Sequence, residues 1–199
     1  MADHGKEPAA VVNPATALET SKLGIWTFLA TEILLFGGLF TAYAVFRIKM
    51  PELFYQEHFK LNRVFGAINT VVLICSSLSV AIGIAGIKRG RRKLLMVCLI
   101  ITLLLAATFL AIKYFEYEEH IEHGELPGTN IFFSLYYMMT ALHGLHVAGG
   151  MAVLTAMLVM AARGRFSDIY NNPVEVAGIY WHFVDLVWIY LFPMLYLIG

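Results

Sequence analysis

Five stretches of this chain are each long and apolar enough to cross a lipid bilayer, and that pattern restricts the fold more than any motif does. A spanning helix needs about 20 mostly apolar residues. Residues 23–46, 64–87, 94–117 (apolar as far as 112), 131–162 and 176–198 meet that requirement. Residues 64–87, 94–112 and 131–162 hold no Asp, Glu, Lys or Arg at all. Inside a bilayer every backbone N–H and C=O must find a partner within the segment, so runs of this kind fold as helices. The expectation is an all-α integral membrane five-helix bundle: a polar tail over 1–21, then one domain over 22–199. The first apolar run is too long for a signal peptide and is expected to remain as a span.

Composition agrees, with 59% of the 199 residues hydrophobic and 14% charged; soluble domains average about half and a quarter. The net charge is +0, which argues against a nucleic-acid partner. Cys75 and Cys98 sit alone inside apolar runs, so no disulfide framework or zinc site is indicated. No internal repeat is visible, which weakens a transporter built from inverted halves.

Orientation follows from the flanking cations. Lys6, Lys22, Lys88, Arg89, Arg91, Arg92, Lys93, Arg163 and Arg165 fall on one side, and Arg47, Lys49, Lys60 and Arg63 on the other. The bias places the N-terminus in the cytoplasm and the C-terminus outside. Short links predict antiparallel sequence neighbours lying side by side. Small residues, Gly37 and Gly38 among them, permit close helix approach.

Function is expected where polarity is buried, since a charge at the bilayer centre costs roughly 2.5–3.5 kcal/mol on insertion scales. Glu32 stands ten residues into the first run, roughly 15 Å deep at 1.5 Å per residue. Desolvation there favours the neutral acid, which needs a partner such as His143, His146 or His182. His143 and His146 form HGLH, at i and i+3 on one helix face, and His182 and Asp185 repeat that spacing in WHFVD. Two readings stay open: metal or haem ligation, with Asp orienting a His, or hydrogen bonding between helices. Lys113 and Glu116 can pair at i, i+3 as a snorkelling cluster at the outer interface. The HIEH stretch, His120 to His123, reads as a solvated acidic loop rather than a chelate.

These blocks resemble subunit III of the haem-copper oxidases, the cytochrome c and quinol oxidases. The resemblance rests on TEILLFGGLF at 31–40, NTVVLICSS at 69–77, EYEE at 116–119, TALHGLHVAGG at 140–150 and GIYWHFVDLVWIYLF at 178–192. It extends over residues 22–199, and HGLHV followed by WHFVDLVW is its most specific part. It implies a subunit without haem, copper or other metal, packed on catalytic subunit I beside subunits II and IV, within the plasma (inner) membrane of a bacterium. Such a subunit stabilises the complex, supports proton uptake while oxygen is reduced to water, and holds structural phospholipid; membership of a respiratory supercomplex is also compatible. By the same resemblance Glu32 matches the carboxyl that reacts with carbodiimides, and Glu116, His143, His146, His182 and Asp185 match recurrent buried polar positions. Trp181, Trp188, Gly37 and Gly38 are expected at helix or lipid contacts. The long family form has two further helices at its start, so another subunit or fused extension is expected to complete the lipid cleft. Two competing readings are a small proton-coupled transporter or channel using Glu32 and the histidines, and a bis-His membrane cytochrome using His143 or His146 with His182.

Overall fold

The computed structural model describes residues 14–167 and 170–198, with side chains from Leu23 onward. Residues 1–13 of the expected tail lie outside the described residues. Residues 14–21, also expected to belong to that tail, instead continue the first helix, α1 (Pro14–Lys49). The other long helices are α3 (Arg63–Ile87), α4 (Arg92–Glu122), α5 (Ile131–Ala162) and α6 (Asn172–Phe192). With the short α2 (Pro51–Glu57) and a 3-10 turn, His58–Lys60, they complete the main elements. Five of them are long and apolar enough to span a membrane, as the runs require. The chain is a multi-pass membrane protein.

Local chemistry sets the ends. Asn62 Oδ1 accepts from the backbone N–H groups of Val64 and Phe65 at the start of α3, and Asn130 Oδ1 accepts from Phe133 at the start of α5. Each satisfies donors that the first helical turn leaves unpaired. Gly90, at φ +70°, makes the turn between α3 and α4 in a conformation that a side chain resists. Pro193 ends α6, and the chain closes in a π-turn, Pro193–Leu197.

Helices α3, α4, α5 and α6 form a closed ring, each packed on the next and α6 returning to α3. Close approach depends on glycine: a Cβ on Gly150 would come within 2.8 Å of the Trp181 ring, and one on Gly83 within 3.0 Å of Cys98 Cβ. Gly37 and Gly38 differ, since a Cβ on either would meet nothing within 4 Å among the described residues. Trp181 and Trp188 are buried within the ring rather than turned outward.

The expectation that sequence neighbours pack side by side fails for α1. It lies against α6 and α5, outside the ring, and not along α3. Two features explain this. The segment from α2 to the 3-10 turn carries the chain across one end of the bundle, anchored where Phe54 meets Tyr43 and Phe132 edge-on. Tyr43 Oη donates to the Met194 carbonyl and Arg47 Nη2 to that of Ile198, which ties α1 to the C-terminal turn. Only 11% of the residues in the apolar stretch of α1 are buried.

Candidate functional site

The polar residues within the spans form three clusters, placed by different helix pairs. The first joins α1 to the ring. Glu32 Oε2 stands 2.9 Å from His146 Nε2. The other ring nitrogen, Nδ1, lies 2.8 Å from the Leu142 carbonyl. A carbonyl oxygen only accepts, so Nδ1 carries the hydrogen. That leaves Nε2 two forms: a lone pair accepting from a protonated Glu32, or an N–H donating to the carboxylate. The forms differ by one proton moved between the two atoms, and both keep the pair neutral overall. The Tyr180 hydroxyl donates to the His146 carbonyl, and Phe36 packs edge-on against the imidazole. Of the three histidines open to Glu32, the fold selects His146.

The second cluster departs from the expected snorkelling arrangement. Lys113 is 6% exposed and Glu116 0%. Lys113 Nζ donates to Glu116 Oε2 at 3.0 Å, to Tyr196 Oη at 2.8 Å and to Tyr136 Oη at 3.2 Å. The hydroxyls of Tyr136 and Tyr196 both donate to Glu116 Oε1. The rings of Trp188, Tyr136, Tyr117 and Tyr196 surround the ammonium at 5.1–5.5 Å from their centroids, within cation–π range. Tyr136 comes from α5 and Tyr196 from the C-terminal turn, so distant parts of the chain roof a pair that a local i, i+3 reading leaves at the surface.

The third cluster lies between α3 and α6. Trp188 Nε1 donates to Thr70 Oγ1 and Trp181 Nε1 to Ser76 Oγ, each at 3.1 Å. His182 Nδ1 meets Ser77 Oγ at 2.5 Å. Asp185 is buried, and its oxygens have no hydrogen-bond partner among the described residues. His143 packs between Phe109 and Trp188, and its ring nitrogens have no partner among the described residues. The amide of Asn69, also buried, has none either.

The i, i+3 spacing of HGLH therefore does not make one site. His146 turns to α1, while His143 turns to aromatic rings of α4 and α6. His182 faces α3. Among the described residues no three His, Cys, Asp or Glu side chains converge as a metal set. The pairing of Tyr136, Tyr196, Thr70 and Ser76 with buried polar groups was not legible in the sequence. Tyrosines and serines are common in spans, and only the tertiary fold shows which ones meet a charge or an indole.

The sequence profile of "Cytochrome c oxidase subunit III" matches residues 13–199. The chain belongs to that family. It is 37% identical to the cytochrome c oxidase subunit 3 of Bacillus sp. (strain PS3), over 96% of this chain and 93% of that one. It is 31% identical to the quinol oxidase subunit 3 of Bacillus subtilis (strain 168), over 100% of this chain and 97% of that one. It is 37% identical to the cytochrome c oxidase subunit 3 of Synechocystis sp., over 88% of this chain and 74% of that one. The chain is thus subunit III of a haem-copper terminal oxidase and part of a complex with other oxidase subunits. The transporter and bis-His cytochrome readings gain no support. Relatives named for a cytochrome c and for a quinol oxidase both match nearly the full length, so what they share with this chain is common to both kinds of oxidase.

Proposed function

We propose that this subunit III is a structural, non-redox subunit that packs on catalytic subunit I, beside subunits II and IV, in a bacterial plasma membrane. Haems and copper belong to the other subunits. Its work is to hold the complex together during turnover and to support proton uptake, with structural phospholipid along its exposed face. The observation that carries this reading is the placement of α1: one face is clamped to α5 by Glu32 and His146, while Gly37 and Gly38 lie open. Large apolar side chains such as Ile33, Leu34 and Ile48 also stand exposed on α1. A helix fixed on one side and bare on the other suits a neighbouring helix or lipid, because small residues let backbones approach closely.

The test is affinity purification of the tagged chain from native membranes, with an optical spectrum of the product. Haem absorbance and a larger catalytic subunit should co-elute, while the chain expressed alone should be colourless. An oxidase purified without the chain should start at normal activity and lose it during turnover. A stable, fully active oxidase lacking the chain would refute the role.

A further inference from the structure

We infer that the basic end of the bundle, at the α3–α4 turn, is a binding site for an anionic phospholipid, separate from the open face of α1. The turn carries Lys88, Arg89, Arg91, Arg92 and Lys93, and the residues after α5 add Arg163 and Arg165. The fold uses two of these seven. Lys88 Nζ pairs with Glu175 at 2.9 Å. Arg92 Nη2 donates to the Ala162 carbonyl at 2.8 Å, and its guanidinium lies so near Gly164 that a Cβ there would come within 2.8 Å. That contact staples the α3–α4 turn to the end of α5 and brings Arg163 and Arg165 into the same patch.

Arg89, Arg91, Lys93, Arg163 and Arg165 are left without an ion-pair partner among the described residues. The first turn of α4 has no acidic residue. Five cations without an ion-pair partner among the described residues, at the ends of membrane-spanning helices, stand at headgroup level, where each basic residue adds attraction to an anionic leaflet. The patch also has a built apolar component. A hollow lined by Arg91, Arg92 and Lys93 above Leu94 and Met96 opens at the turn. A phosphate on Arg91 and Lys93 with the first methylenes of an acyl chain on Leu94 and Met96 fits both chemistries at once. An acidic protein segment would use the cations but not the apolar floor.

The experiment uses the assembled oxidase containing this chain, with phosphatidylglycerol and phosphatidylcholine as probes and native mass spectrometry counting retained lipid. The parent should retain phosphatidylglycerol over phosphatidylcholine, and retention should weaken as salt rises. Arg91→Gln with Lys93→Gln should lower phosphatidylglycerol affinity about fivefold for each charge removed, with assembly and oxidase activity intact. Lys49→Gln, at the end of α1 and outside the patch, should change nothing. Equal retention of the two lipids by the parent, or salt-insensitive binding, overturns the proposal without needing the variants. Unchanged phosphatidylglycerol binding in the double variant does the same, as does loss of a co-purifying protein in its place.

Discussion

Glu32 on α1 and His146 on α5, 114 residues apart in sequence, stand 2.9 Å apart, and among the described residues theirs is the one side-chain to side-chain hydrogen bond that fastens α1 to the ring. Glu32→Gln keeps the shape and can donate to Nε2, so assembly and thermal stability should stay close to the parent. Glu32→Ala leaves the imidazole nitrogen unpartnered, a loss of about 1–3 kcal/mol. Melting temperature of the purified complex reads the difference. If Gln melts as early as Ala, the hydrogen bond is not what holds α1. Infrared difference spectra that lose a carboxylic-acid carbonyl band in Glu32→Gln would place the shared proton on Glu32.

Lys113 and Glu116 are buried too completely to be altered singly without penalty. Removing one partner of a buried ion pair strands the other charge, at a cost of about 3–5 kcal/mol. Lys113→Met and Glu116→Gln should each reduce the yield of folded chain sharply, while the double variant should recover part of it. Tyr196→Phe removes one donor and one acceptor from the pair and should cost about 0.5–1.5 kcal/mol. Additive losses in the double variant would show that the two groups do not act as a pair.

The glycines divide into two classes with opposite expectations. Gly150→Ala drives a methyl into the Trp181 ring and should destabilise by roughly 1–3 kcal/mol through overpacking. Gly38→Ala meets nothing among the described residues, so the isolated subunit should tolerate it. Gly38→Leu should likewise spare the isolated subunit yet lower its recovery with the rest of the oxidase. Equal recovery of Gly38→Leu and parent would mean that no helix approaches that face.

Lys60 provides a pH test outside the spans. Its hydrogen bond to Glu57 holds the ammonium above its ordinary 10.5, against a smaller lowering by partial burial, with the charges of Glu57 and Glu125 adding to the rise. A raised folded value means that the contribution is complete below 10.5 and lost as pH climbs through the raised pKa. The gap in melting temperature between parent and Lys60→Gln should therefore be constant from neutral pH up to that range and close above it. A gap that already changes between about pH 6 and 8, far below the ordinary lysine range, would overturn this account.

Helix number and type were legible because twenty-residue apolar runs admit one solution in a bilayer. The individual polar residues were legible too, since Glu32, His146 and Asp185 interrupt those runs visibly. What escaped was pairing. HGLH spacing puts His143 and His146 on one side of α5, yet the ring is tight enough that three residues of rotation send them to different neighbours. Lys113 and Glu116 read as interfacial because nothing local announces that Tyr196, at the far end of the chain, folds back over them. The position of α1 escaped for the same reason: chain order says α3, but packing says α5 and α6.

That position also sets a schedule for biosynthesis. The surfaces that receive α1 belong to α5 and α6, so α1 waits for more than a hundred further residues to be made. At about 5–20 residues per second that interval is on the order of ten seconds. Throughout it Glu32 has no His146 to share a proton with. An insertion factor, a lipid headgroup or a helix of another subunit that shelters this carboxyl in the meantime would decide how many nascent chains reach the finished bundle.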